Sequence, residues 1–153
     1  MNLSLKLLSS IILLIFFIAC ESDNPGDDFT PPDGSFGLVY TKVFTPSCAL
    51  SGCHEIGARQ PTLKGEDTYA NIFGITPANQ NAANAMLEYI MASSPDSSFL
   101  YNKIAYDSAQ FQFGSAMPLG GISLTQNQIT FIRQWIVAGA PESGHVADRS
   151  LVE

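Results

Sequence analysis

The chain has 153 residues, of which 14 are acidic and 7 are Lys or Arg, giving a formal net charge of −7. This length suits one domain of ordinary size with a real hydrophobic core. A chain so poor in cationic side chains lacks the basic surface that nucleic-acid binding requires. We therefore expect no nucleic-acid partner.

The N-terminal residues have the layout of an export signal. Lys6 precedes an apolar run over residues 11–19, which is short for a membrane-spanning helix of about 20 residues. Cys20 follows Ala19, and the region resembles a bacterial lipoprotein signal, in which the thiol takes a diacylglyceryl group. We expect cleavage after residues 1–19 and lipid anchoring through Cys20 to a membrane of the cell envelope. A plain signal peptide and an uncleaved anchor are the alternatives.

The composition then divides the rest of the chain. Residues 20–35 are rich in acidic residues, Pro, Gly and Ser, and such a segment buries too little apolar surface to fold. We interpret it as a flexible tether, on the periplasmic side or the outer surface. Residues 36–145 form the predicted domain, and residues 146–153 form a tail.

Cys48, Cys53 and His54 are the candidate site. An exported compartment usually oxidises a local cysteine pair to a disulfide, but a disulfide has no use for an adjacent imidazole. Cys-x-x-Cys-His is the haem attachment signature, in which two thiols bind the haem vinyl groups and the imidazole lies under the iron. Here four residues separate the thiols instead of two. Haem, a disulfide and a zinc site therefore all remain open, although zinc wants four ligands and no second Cys or His cluster exists.

A second axial ligand is sought among the methionines, since Met with His is a common electron-transfer pair. Met117 lies in a loop of small residues over 114–121, where a thioether can point inwards from irregular backbone. Met86 and Met91 lie in an apolar segment and are interpreted as core. His145 competes as a ligand, but its polar surroundings favour an exposed tail histidine.

Short helices are predicted around these residues. Hydrophobic spacing predicts a first helix over 36–45, capped by Asp33 or Ser35 and limited by Pro46. A second short helix is predicted over 66–73, and residues 75–84 are interpreted as a loop. Residues 86–91 are strand or helix. A further helix is predicted from a cap at Asp96 or Ser97 to Ile104.

The last helix has the clearest signals. Thr125 and Gln128 fit a capping box, and Gly139 ends the helix. Apolar residues from Ile129 onward form one stripe, and Trp135 is expected to pack against the first helix. These elements predict an all-α fold of short helices.

The order of these motifs resembles the small all-α cytochrome c domain, and more narrowly the planctomycete-type cytochrome c domain. The matching residues span 36–141: Val43-Phe44, Cys48 to His54, Leu63 with Tyr69, Ser94 to Leu100, Met117-Pro118, Leu124-Thr125 and Trp135 to Ala140. The resemblance implies one covalent haem c on Cys48 and Cys53, with His54 as proximal ligand and Met117 as distal ligand. It also implies one-electron transfer rather than catalysis, with redox partner proteins that the sequence does not identify.

Two other functions fit the same residues. A haem-free envelope lipoprotein that keeps this fold, with a Cys48–Cys53 disulfide, would act as a binding or interaction module. An iron with an open distal position, if Met117 does not ligate, would suit a haem enzyme or a gas sensor.

Overall fold

The computed structural model describes residues 29–106, 113–120 and 123–153. The predicted export signal and the lipid site at Cys20 lie outside these residues, and so do residues 21–28 of the predicted tether. Within the described ranges, no helix has both the length and the apolar character needed to cross a membrane.

The described chain is helical, which confirms the expected all-α class. Three isolated bridges, Gly34–Gly144, Phe73–Ile90 and Glu88–Ser98, are its only β-type pairings in those ranges. The helices are α1 (Ser35–Val39) with its π-helical continuation Tyr40–Cys48, α2 (Gln80–Asn84), α3 (Phe99–Ala105) and α4 (Gln126–Val137), with 3-10 turns at Glu66–Thr68, Pro95–Ser97 and Arg149–Leu151.

The first helix runs further than predicted. α1 continues into the wider turns of Tyr40–Cys48, so Pro46 lies inside the helix and the prediction that it limits the helix was wrong. Pro46 lacks an amide hydrogen, and the helix passes it by adopting π-type spacing. The Ala49 N–H accordingly donates to the Phe44 carbonyl, five residues back, at 2.7 Å. This extension places Cys48 at the C-terminal end of the helix.

The predicted caps of this helix were also wrong. α1 begins after Gly34, and no side chain caps it. The Ser35 hydroxyl instead accepts hydrogen bonds from the Val146 and Ala147 amides at 2.9 and 3.0 Å. The Ser35 hydroxyl is buried and already accepts two hydrogen bonds, so it is not available to cap the helix.

Both ends of the described chain therefore pack on the helical unit. The Ser35 amide donates to the Gly144 carbonyl at 2.9 Å, and the Gly144 amide donates to the Asp33 carbonyl at 3.1 Å. A Cβ atom at Gly34 would lie 2.5 Å from the Gly144 nitrogen, so this close approach requires glycine. The Phe29 ring packs edge-on against Tyr40 at 5.2 Å, and the folded unit thus begins before residue 36.

α4 forms as predicted. Thr125 and Gln128 make the reciprocal capping box, in which the Thr125 hydroxyl accepts from the Gln128 amide and the Gln128 side chain accepts from the Thr125 amide. Trp135 is fully buried and lies 6.0 Å from the Phe36 ring, between centroids, so the predicted contact with the first helix is confirmed. The Trp135 indole N–H donates to the Pro141 carbonyl at 2.9 Å.

The middle of the chain differs most from prediction. The helix predicted over 66–73 is only the 3-10 turn Glu66–Thr68, and it is followed by turns in which the Tyr69 carbonyl accepts from both the Ile72 and Phe73 amides. The loop predicted over 75–84 contains α2. Asn79 starts α2 by accepting the Ala82 amide on its side-chain oxygen at 3.0 Å.

Residues 86–91 form neither a helix nor a strand. The prediction that Met86 is core was wrong, since its side chain is 83% exposed and its backbone is left-handed, with φ of 57°. The segment is held by the bridges of Glu88 and Ile90. α3 starts at Phe99 with Ser98 at its N-cap, one or two residues after the cap predicted at Ser97 or Asp96, because Pro95–Ser97 is a separate 3-10 turn.

Candidate functional site

A cavity of about 450 Å³ brings together the four residues singled out from the sequence. Cys48, Cys53, His54 and Met117 all line it. Its other walls are mainly apolar and come from the first helix, α3 and α4, for example Phe44, Leu100 and Ile132. Volume and lining fall in the range typical of sites that enclose an organic ligand.

Backbone hydrogen bonds hold the segment that follows the first helix, residues 48–63, which we call the proximal segment. The His54 amide donates to the Cys48 carbonyl at 3.2 Å, and the Arg59 amide donates to the Cys53 carbonyl at 3.0 Å. The Leu63 amide donates back to the His54 carbonyl at 2.8 Å. Each site residue in this segment is therefore fixed by its own main chain.

The four-residue spacer between the Cys48 and Cys53 thiols is accommodated by a single turn. With a two-residue spacer, the histidine amide would stand four residues after the first cysteine, which is the spacing of an α-helical hydrogen bond. Here it stands six residues after Cys48, yet the same bond forms. The Cys53 amide donates to the Leu50 carbonyl at 2.9 Å, and Gly52 takes the left-handed φ of 75° that this turn needs.

Glu55 closes this turn from the far side. Its Oε1 accepts the Gly52 amide at 2.8 Å. A carboxylate on a main-chain N–H forms a charge-assisted bond, which is stronger than a neutral one. The two features that depart from the usual haem signature, the long spacer and Glu55, are thus parts of one turn.

The imidazole of His54 has a fixed orientation. Its Nδ1 lies 2.9 Å from the Pro61 carbonyl oxygen. Because a carbonyl oxygen only accepts, Nδ1 carries the hydrogen, and in the neutral imidazole Nε2 then keeps its lone pair. Metal-ligating histidines are typically held in this way, by a hydrogen bond from the ring nitrogen that does not bind the metal.

Cys48 and Cys53 are both free thiols of intermediate burial. Burial, with a smaller contribution from the neighbouring charge of Cys53, raises the pKa of Cys48 to about 12. The Cys48 thiol therefore keeps its proton at neutral pH.

Met117 lies in the loop 113–120, which we call the distal loop. Its amide donates to the Lys103 carbonyl at 2.7 Å, at the last turn of α3. The Asn79 side-chain amide donates to the Phe113 carbonyl at 3.2 Å. The loop thus depends on residues of α3 and on the residue that caps α2.

Met117 is the described methionine that lines the cavity, whereas Met86 and Met91 do not. His145 is also outside the lining. It is exposed, as predicted, and its Nε2 lies 3.1 Å from Asp33 Oδ1. Leu119, next to the distal loop's proline, lines the cavity while 69% exposed, so it forms part of the rim.

Sequence reasoning missed three residues of this site. Pro61 accepts the imidazole hydrogen bond, Asn79 ties down Phe113, and Lys103 binds the backbone of the distal loop. The sequence did contain a signal for Lys103, because its cationic side chain lies among the apolar residues of the predicted helix that ends at Ile104. No local pattern marks a carbonyl acceptor such as that of Pro61.

A site for a bare metal ion is not formed in the described ranges, where no three His, Cys, Asp or Glu side chains group together. No protein-family model, curated protein or solved structure matches the chain. The function is therefore argued from the cavity and its residues.

Proposed function

We propose that the protein is a single-haem c-type cytochrome that transfers one electron at a time at the cell envelope. The observation that carries this proposal is His54, whose Nδ1 is bonded to Pro61 while its Nε2 remains available, in the same cavity as two free thiols and a methionine. Cys48 and Cys53 hold haem c covalently, and His54 and Met117 are the axial ligands.

The donor set fits this cofactor. An imidazole and a thioether are the common axial pair of electron-transfer haems, and a mainly apolar cavity suits the porphyrin ring. Each thiol adds its S–H across one vinyl double bond, which forms a thioether, releases no leaving group and requires no oxidant. This addition requires both thiols to be reduced.

The chain's own residues have three tasks in this proposal. Pro61 fixes the His54 tautomer and ring plane, and the apolar walls exclude water from the site. Met117 would supply the second ligand to the haem iron, which would leave no open site for a substrate and favour a carrier over an enzyme. Bound haem supplies an iron that cycles between its ferrous and ferric states.

Covalent haem is the first test. The full chain is expressed with a haem-maturation system, and the product is examined by denaturing electrophoresis with haem staining and by its reduced absorption spectrum. We expect a stained band for the wild type and none for the double variant Cys48→Ala/Cys53→Ala. The matched control is Cys20→Ser, which removes the third thiol and should keep the stain.

A colourless wild-type protein would overturn the proposal. If its intact mass then showed the loss of the two thiol hydrogens, the disulfide-linked interaction module would replace it. A stained band with an iron that binds carbon monoxide freely would instead favour the open-iron enzyme or gas sensor.

The proposed location rests on Cys20 and the apolar run before it. We propose lipid anchoring to a bacterial membrane, because several acyl chains hold a protein firmly on a membrane surface. Cys20→Ser should move the haem-stained protein from the membrane fraction to the soluble fraction. The control variant Cys53→Ser should stay with the membrane.

A further inference from the structure

Lys103 contacts the distal loop at two points. Its main-chain carbonyl accepts the Met117 amide at 2.7 Å. Its side-chain ammonium donates to the Ser115 carbonyl, two residues earlier in the loop. Lys103 and Met117 both line the cavity, so the same residue contacts the loop and the cavity.

The ammonium is itself held in place. Its Nζ lies 5.7 Å from the centroid of the Phe99 ring, one turn earlier in α3, in a cation–π arrangement. A long, flexible side chain normally stays hydrated, so this placement indicates a specific partner.

The two contacts restrain different motions. A single amide–carbonyl bond at Met117 leaves the loop free to pivot about that point. A second bond, two residues away, removes the pivot and fixes the direction in which residue 117 leaves the main chain. A hydrogen bond from a charged donor is stronger than a neutral one.

We propose that Lys103 is the positioning residue of the distal methionine, and that its ammonium, through Ser115, keeps the Met117 thioether on the iron. This inference rests on the proposed function, since it concerns the sixth ligand of that haem. On this inference, the Lys103 side chain determines whether Met117 stays on the iron, as in an electron carrier, or leaves the iron open to small ligands.

The test uses three variants of the full-length holoprotein. Lys103→Leu removes the ammonium, keeps the main-chain bond and brings no sulfur that could replace Met117. Lys103→Arg keeps a cationic donor. Lys42→Leu removes one positive charge from an exposed position of the first helix that does not line the cavity.

The readouts are the sulfur-to-iron charge-transfer absorption of the ferric protein and its affinity for added imidazole, which competes with Met117. We expect Lys103→Leu to weaken the absorption and to raise the imidazole affinity roughly ten- to a hundredfold, matching the loss of one charged hydrogen bond. Lys103→Arg should recover most of the wild-type behaviour, and Lys42→Leu should match the wild type.

Unchanged absorption and imidazole affinity in Lys103→Leu would overturn the inference, even if the variant melted at a lower temperature. An equally large rise in imidazole affinity in Lys42→Leu would also overturn the inference, because the effect would then come from the change in net charge. A wild type without haem, or one lacking the sulfur-to-iron absorption, would instead contradict the proposed function, so the two failures are distinguishable.

Discussion

The proximal segment and the distal loop line the same cavity but are held in different ways. In the proximal segment, the amides of His54, Arg59 and Leu63 bond to carbonyls of nearby residues of the same segment. The distal loop is tied to the rest of the fold by Asn79 and Lys103, which precede it in other parts of the chain. We therefore expect the proximal segment to keep its conformation when one side chain is removed, and the distal loop to change when Asn79 or Lys103 is removed.

The largest effect is expected at His54. His54→Ala removes the imidazole but keeps the main-chain bonds of the proximal segment, so haem should still attach while the low-spin spectrum disappears. The visible spectrum of the purified, haem-stained variant checks this. Adding imidazole should restore part of the spectrum, and a variant with the wild-type spectrum would show that another residue is the proximal ligand.

Met117→Ala should have the next largest effect. Haem should remain covalently attached, because both thiols lie in the proximal segment, but the iron should lose its thioether ligand and its reduction potential should fall. Redox titration and carbon monoxide binding measure the change. Met86→Ala is the matched control, since that side chain is 83% exposed and should leave both values unchanged.

The haem-free protein should lose stability at alkaline pH. Because the folded Cys48 thiol has a pKa of about 12 and the ordinary value is 9.0, the unfolded chain releases this proton first as pH rises. The contribution of the protonated Cys48 thiol to the free energy of unfolding is therefore fully present below pH 9.0 and falls progressively towards pH 12. Urea unfolding at a series of pH values tests this.

Cys48→Ser supplies the control for that titration, since a serine hydroxyl does not ionise in this range. The difference in unfolding free energy between the variant and the wild type should shrink or reverse as pH rises above 9.0. A difference that is constant with pH would contradict the assigned burial of the thiol.

The smallest effect is expected at Glu55. Glu55→Ala removes the acceptor of the Gly52 amide and should lower stability by about 1 kcal/mol, because the rest of the turn remains bonded. Glu55→Gln keeps an acceptor oxygen and should cost less. Thermal unfolding of the two variants, with amide exchange at Gly52, separates the hydrogen bond from the charge. Equal losses in both variants would assign the effect to charge alone.

The same difference between regions explains what the sequence could predict. Local signals, such as the Thr125–Gln128 capping box, correctly predicted α4, and the Cys53-His54 pair lies on a wall of the cavity. The segments over 66–91 were predicted poorly, because their ends are decided by distant partners. Phe73, for example, leaves a helical path and bridges to Ile90.

Apart from the contact of Trp135 with the first helix, contacts between distant residues were not predicted, for the same reason. The sequence suggested Met117 from the character of its loop, but it did not indicate that Lys103 holds that loop. Pro46 shows the opposite error, in which a strong local rule fails. A proline normally interrupts a helix, yet here the helix widens and passes it.

The joint between Ser35 and the chain near Val146 also has a mechanical meaning. A pull on the segment before Phe29 would reach the Gly34–Gly144 pair and the two amides on the Ser35 hydroxyl before it reached Val43, the first residue along the chain that lines the cavity. Those bonds join two parts of the chain more than 100 residues apart and share the load between them. If the protein is anchored through Cys20 as proposed, tension on the anchor would act on this joint before it acts on the cavity.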